Sequence, residues 1–367
     1  MQKTTTALAT PLREQLDRLA ALEPVDGPVV SLYLDMRVDQ NGHVNYDIFL
    51  RKALPERARS LRGEARKSFE RDAERIREYL ETERRPSANG LAVFACSARD
   101  DFFEAVQLEV PLERHQLFIG SLPHLYPLAR INAQYPRYAA LLLNTNSASL
   151  FVFSLGTTEK TRQVTNVKTR RTSMGGWSQA RYQRHTENFH LLHMKEVVSV
   201  LDRVVIDEQL NQIVVACDDA ARPALMEQLP KHLAEKVIDV IAMDMKTPEH
   251  QVLAETLEAL RRKDAHTDAE HVEAMLDAWR AGGLAVVGPE GTLFALEVRQ
   301  VEELLIVAKP ERLRAAPGID PLELAGTLVT KAQQNKARIR FIENPELLTD
   351  VGGVGALLRF NIQGGRT

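Results

Sequence analysis

IVVACDDAARPALMEQLPKHLAEKVIDVI, residues 213–241, decides the fold class. Ile213–Cys217 is an apolar run of strand length, Ala221–Leu229 has a helical pattern, and Val237–Ile241 is a second short apolar run. Strands that alternate with helices favour an α/β domain with some parallel pairing. A helix is expected to follow from Pro248. Upstream, Tyr138–Leu143 and Ser149–Phe153 flank the turn cluster Asn144-Thr145-Asn146-Ser147, which predicts a hairpin. A polar strand is expected over Thr161–Val167. Beyond it a long helix runs to about Leu201, with Tyr182, Phe189, Leu192 and Val197 on one side.

The alternation continues outward in both directions. Towards the N-terminus, Pro11 precedes Leu12, Leu16, Leu19 and Leu22 at helical spacing. Strands are expected at Val29–Leu34, Leu91–Ala95 and Phe102–Val110, with a charged helical region over 47–83 between the first two. The Pro-punctuated stretch Pro123–Pro136 reads as a linker. Towards the C-terminus, a helix over Val272–Ala281 ends at Gly282-Gly283. Strands at Ala285–Val287, Leu304–Val307 and Arg338–Ile342 alternate with helices over Thr292–Arg299 and Pro321–Asn335. No repeat of fixed period appears. Three α/β pieces are expected: 1–132, 133–262 and 263–367.

The 367 residues, 44% apolar and 26% charged, suffice for a core in each piece, and 19 Gly with 17 Pro exclude collagen-like chains. Cys96 and Cys217 cannot make a disulfide framework or a four-thiolate zinc site, and both end apolar strand runs. No apolar run approaches a membrane span, and the first residues lack the apolar region of a secretory signal. A cytoplasmic protein without a membrane partner is expected.

Charge is less even than the total suggests. With 47 basic and 50 acidic residues the net charge is −3. Yet between Glu159 and Glu187 there is no acid, only Lys160, Arg162, Lys168, Arg170, Arg171, Arg181 and Arg184, seven positive charges. Such a segment attracts phosphates, and Trp177 and Tyr182 within it offer faces for base stacking. The competing reading is a solvated loop whose charges pair with acids elsewhere in its domain.

At the centre of that segment stands Ser173-Met174-Gly175-Gly176-Trp177-Ser178-Gln179-Ala180-Arg181-Tyr182-Gln183-Arg184. Paired glycines let the backbone approach a ligand closely, and a helix starting near Ser178 would aim free N–H groups at an anion. Gln179 cannot act as a base, but it can orient water or donate a hydrogen bond to a developing oxyanion. Other catalytic patterns are missing: no GxxxxGK[ST], no GxGxxG after a strand, no HExxH and no GxSxG. His185, His190 and His193 lack metal-ligand spacing, so neither a metal nor a cofactor is expected.

In the order of its parts the chain resembles the archaeal and eukaryotic class-1 release factors and their relative Pelota, in the form of their bacterial homologues. The residues that carry the resemblance are Gly288-Pro289-Glu290, Ala295-Leu296-Glu297, Val301 through Ile306, and Gly352 through Phe360. Gly175 to Arg184 is similar to that family's GGQ loop and the helix after it. An ungapped match sets Trp177 where the family has Gln, and Gln179 two places later. Neither NIKS nor YxCxxxF, the stop-codon motifs, is found in the first piece; His124-Leu125-Tyr126-Pro127 lies where the latter would fall.

The resemblance implies a three-domain release-factor/Pelota-like architecture, each domain a mixed α/β sandwich. The first piece would face the decoding side, the second would carry the loop into the peptidyl-transferase centre, and the third would bind partners. Implied partners are the ribosome with its rRNA, peptidyl-tRNA, and a translational GTPase such as elongation factor Tu. Gly175, Gly176 and Gln179 would be catalytic in peptidyl-tRNA hydrolysis for ribosome rescue. Lys168, Arg170, Arg171, Trp177, Arg181, Tyr182 and Arg184 would hold RNA. The alternative is a non-catalytic hibernation factor of the Balon type, which fills the A site of idle ribosomes.

Overall fold

A computed structural model describes residues 12–24, 26–38, 45–165 and 179–360, apart from the side chains of 165 and 179–188. The fold is mixed α/β with three sheets. The first segment runs α1 (Leu12–Ala20), β1 (Val29–Asp35), α2 (Tyr46–Ser60), α3 (Gly63–Thr82), β2 (Gly90–Cys96), β3 (Phe102–Leu108), β4 (Gln116–Gly120) and α4 (Tyr126–Gln134). Next come β5 (Tyr138–Leu143), β6 (Ser147–Ser154), β7 (Thr157–Thr165), α5 (Gln179–Asp207), β8 (Ile213–Cys217), α6 (Ala221–Gln228), α7 (Lys231–Ala234), β9 (Val237–Ala242) and α8 (Glu249–Arg280). The chain then passes through β10 (Ala285–Val287), α9 (Pro289–Glu297), β11 (Val301–Val307), α10 (Pro321–Gln334), β12 (Arg338–Ile342) and β13 (Val354–Leu358). It divides into two compact units, residues 135–267 and residues 1–134 with 268–367.

In the unit of residues 135–267 the strand order is β7-β6-β5-β8-β9. β5 pairs in parallel with β8 and β8 with β9, while β6 and β7 extend the sheet antiparallel. Every residue of β5 is buried because both faces are covered. Ala139, Leu141 and Leu143 meet α5 and α6 through Met194, Val197, Leu201 and Leu225. Tyr138, Ala140 and Leu142 turn to the other face, against Val252, Ala259 and Leu260 of α8. A strand covered on both sides has no polar alternation, hence the continuous apolar run. Leu192 departs from its expected side: it is 64 % exposed, whereas the buried stripe is Met194, Val197, Val198, Leu201, Val204 and Val205.

The other unit holds two four-stranded sheets, β3-β2-β1-β4 and β10-β13-β11-β12. One face of β1 and β2 is covered by α2 and α3, with Phe69, Ile76 and Leu80 of α3 buried. Each such side chain contributes about 1.5–3 kcal/mol. The charged region over 47–83 is two helices rather than one. The chain leaves α2 extended at Leu61 and re-enters helix at Gly63, whose φ of +58° suits glycine. The expected linker at 123–136 is largely α4. Its Pro127 lies in the first turn, where a missing N–H costs nothing, and Leu128 and Ile131 are buried. β4 and β13 escaped the sequence pattern because both are short, and β13 follows two glycines that read as a turn.

Segments some 200 residues apart close this unit. Ser31 Oγ accepts from the His124 backbone N–H at 3.0 Å, and the Tyr33 hydroxyl donates to the His124 carbonyl at 2.5 Å. Thr330 Oγ1 on α10 donates to the Pro123 carbonyl at 2.9 Å, and the Tyr126 hydroxyl donates to the Val307 carbonyl at 3.0 Å. The His124 ring stacks on Phe118 with centroids 3.5 Å apart. On another side it meets Gly326 of α10, where a Cβ would stand 2.0 Å from Nδ1. Burial pushes the pKa of His124 down to about 3.

Two outcomes follow from that contact. Alanine favours a helix over glycine by about 1 kcal/mol, yet Gly326→Ala is expected to lower stability by about 1–3 kcal/mol, because the ring has nowhere to go. Urea denaturation gives the sign; a stabilised variant would contradict the packing. His124 is neutral in the fold but charges below about pH 6.5 once unfolded, so stability is retained above that pH and lost as pH falls. The loss should approach about 1.4 kcal/mol per pH unit between about pH 6 and 4, and His124→Phe should remove that share of the slope.

Candidate functional site

The residues singled out by sequence bridge β7 and α5. β7 is held antiparallel to β6, with Leu150 opposite Arg162 and Ser147 opposite Thr165. α5 starts at Gln179, so that residue opens the helix, and the backbone N–H groups of the first turn have no partner within it. Arg181, Tyr182 and Arg184 follow within the first two turns of α5. Lys168, Arg170, Arg171, Gly175, Gly176 and Trp177 lie outside the described residues. So do the side chains of Gln179, Arg181, Tyr182 and Arg184.

The described residues hold a charge cluster at the start of β7 and the end of α5. Arg137, just before β5, gives Nε to Glu159 Oε2 at 2.7 Å and Nη2 to Glu208 Oε2 at 2.6 Å. The same guanidinium donates to the Glu208 carbonyl at 2.5 Å, and Lys160 pairs with Glu208 Oε1. These bonds pin the start of β7 to the residue that follows α5. Lys160 and then Arg137 hold the Glu208 carboxyl below its usual pKa. The sequence counted Lys160 with the phosphate-seeking charges; the structure spends it on an internal pair. Arg162 is exposed and has no ion pair among the described residues. Of its acids, only Glu159 brackets the acid-free segment; Glu208 lies beyond it and carries no signal in the sequence.

His193 sits on α5 under the same sheet edge. It is fully buried, and neither ring nitrogen has a hydrogen-bond partner among the described residues. Burial holds its pKa down against the opposite pull of Glu196 and the Ser147 backbone. Among the described residues no group of three or more His, Cys, Asp or Glu side chains is placed to hold a metal. Both cysteines are buried, which raises the thiol pKa values.

The C-terminal motifs shape their sheet. Gly352 and Gly353 have φ of +80° and +86°, and a Cβ on Gly353 would come within 3.0 Å of the Arg312 carbonyl. That tight turn delivers β13 between β10 and β11. Glu303 of the Val301–Ile306 motif is buried, with Oε1 3.1 Å from Arg340 Nε and Oε2 2.9 Å from His271 Nδ1. Arg340 also reaches Asp268 at 3.1 Å. These residues hold α8 and β12 to the sheet. No described helix is long and apolar enough to cross a membrane.

Comparison with known proteins agrees with the family pattern. Residues 123–261, which include the whole five-stranded sheet, match the family model "Bacterial archaeo-eukaryotic release factor family 10". No curated protein matches the chain. Among solved structures, the archaeal translation termination factor aRF1 is similar at 16% identity over 96% of this chain and 99% of that one, with a TM-score of 0.26. Ribosome-bound archaeal Pelota, seen together with ABCE1, shares 15% identity over 96% and 95%, with a TM-score of 0.43. Dom34 of S. cerevisiae shares 12% over 74% and 81%, at 0.41. The family match covers residues 123–261, less than half of the chain. That central segment carries the pattern of family 10.

Glu208→Gln tests the charge cluster. Removing one carboxylate leaves Arg137 and Lys160 without their shared partner, and stability at pH 7 is expected to fall by about 1–2 kcal/mol. Because the pKa of Glu208 is lowered in the fold, the wild-type advantage exists above its unfolded pKa and vanishes as pH falls through the folded value. The difference in urea midpoint between wild type and variant should therefore be full at pH 7 and shrink as the pH falls below the unfolded value of the carboxyl.

Proposed function

We propose that the protein is a ribosome-associated translation factor that works in the A site of stalled or idle ribosomes and cleaves peptidyl-tRNA. The observation that carries this reading is Gly175-Gly176 followed by Gln179 at the first turn of α5, within the segment that matches a release-factor family. The glycines give the backbone close approach. Gln179 orients a water against the ester carbonyl and donates to the developing oxyanion, and the 3′-hydroxyl of the tRNA leaves with a proton. Lys168, Arg170, Arg171, Arg181 and Arg184 hold phosphates, and Trp177 and Tyr182 stack on bases.

In this reading residues 1–132 face the decoding side without stop-codon motifs, 133–262 face the peptidyl-transferase centre, and 263–367 bind a partner such as a translational GTPase. A second reading rests on Trp177. A bulky aromatic in the place of the family Gln suits stacking on rRNA, so the loop would plug the catalytic centre of an idle ribosome without chemistry.

A release assay on purified ribosomes with peptidyl-tRNA separates the two. Cleavage should fall about 100-fold or more in Gln179→Ala, as for loss of a transition-state hydrogen-bond donor. Binding by co-sedimentation should persist in that variant and be lost on reversing Arg170, Arg171, Arg181 and Arg184 to Glu. Equal cleavage by Gln179→Ala would remove Gln179 from the mechanism. Binding without any cleavage by the wild type would leave the plugging reading alone.

A further inference from the structure

The unit of residues 1–134 and 268–367 contains a cavity of about 250 Å³ that the release-factor reading does not use. It lies beyond the carboxyl ends of the parallel strands β11 and β12, where Lys309, Glu311 and Glu343 leave the sheet. Open α/β sheets hold ligands in that crevice, because loops diverge there and leave backbone groups facing a gap. Leu322, in the first turn of α10, closes one side.

His124 is a buried polar group of the lining, beside Gln116 and Gln134. It lines the cavity, is 9 % exposed, and has no ring-nitrogen hydrogen bond among the described residues. Its position is rigid: the backbone is bonded to Ser31 and Tyr33, one ring face lies on Phe118, and the Nδ1 side meets Gly326. Nε2 is thus the nitrogen that α10 does not wall off. A buried neutral imidazole without partners favours any ligand that can complete its hydrogen bond.

The rim sets the charge of that ligand. Arg114 is paired with Glu311 and Arg130 with Glu343, and Lys309 faces the cavity together with Glu113. Cations and carboxylates balance, so neither an anion nor a cation is favoured. Leu112, Ile131, Leu322 and three proline rings give the lining its apolar part, and the amides of Gln116 and Gln134 add polar groups that a base edge can also meet. The volume lies below the roughly 300–1,000 Å³ of pockets for drug-sized ligands, so a single base with its sugar is the largest natural fit.

We infer that this cavity binds one uncharged nucleobase, as a nucleoside or as a single base turned out of an RNA strand, with a polar edge of the base hydrogen-bonded to His124. A flat heterocycle supplies both what the imidazole lacks and what the apolar walls exclude from water. The site is independent of the loop at 175–179, so its failure would leave the proposed function standing.

Isothermal titration of the full chain tests it, with adenosine, guanosine, cytidine and uridine, with inorganic phosphate, and with an RNA hairpin that carries one bulged base. At least one nucleoside or the hairpin should bind saturably. His124→Phe, which keeps the stack on Phe118 but removes both nitrogens, should weaken that binding about tenfold. Loss of hairpin binding when the bulge is made abasic assigns the base to RNA, whereas binding of nucleoside alone assigns it to a free ligand. Should His124→Phe fail to fold, Leu322→Trp fills the cavity from α10 and must abolish binding at unchanged Tm. The inference is overturned if neither nucleoside nor hairpin binds, if phosphate displaces them, or if the variants bind as tightly as the wild type.

Discussion

The contact between His124 and Gly326 carries more of this structure than any other single approach. It joins a residue of the connection between β4 and α4 to the middle of α10, and it fixes how closely that helix can lie. Around it run the bonds from Ser31, Tyr33, Tyr126 and Thr330, all buried. Each satisfies a backbone group that would otherwise be orphaned in an apolar seam, which costs roughly 1–3 kcal/mol per group. The first and last segments of the chain therefore fold as one unit. Entropy lost in closing so long a loop grows only slowly with its length, so a modest set of such bonds suffices.

The unit of residues 135–267 obeys a different constraint. Its sheet is buried on both faces, and its only polar strand is the edge strand β7. An edge strand can face water along one side, which lets β7 carry Lys160 and Arg162 without burying either charge. The Arg137–Glu159–Glu208–Lys160 cluster then ties that edge back to the end of α5. The start of β7 and the end of α5 are thus anchored to the start of β5.

Legibility in the sequence followed burial. β5, β8 and the stripe on α5 announce themselves because two-sided burial writes unbroken apolar runs or helical spacing. α4 did not: its prolines look like punctuation, and only packing against α10 shows that Pro127 begins a helix. β13 hid behind Gly352 and Gly353, whose positive φ is a tertiary requirement. For the candidate site, residue type and order were legible, while charge pairing was not. Lys160 and Arg162 look alike in sequence, and only the position of Glu208, 48 residues beyond Lys160, tells them apart.

That distinction changes the electrostatic argument for the loop. A cation already neutralised inside the fold releases no counterion when a polyanion arrives, so it adds nothing to salt-dependent binding. Lys160 belongs to that class. Arg162 has no such pair among the described residues, and the remaining cations of the segment, Lys168, Arg170, Arg171, Arg181 and Arg184, bracket Gly175-Gly176 in the sequence. A strip of arginines on one side alone would bind RNA in many registers, whereas flanking groups fix the backbone between them against a single stretch of phosphates. Whether Gln179 then performs chemistry or Trp177 merely fills space, that bracket is what would bring either residue to the same place each time.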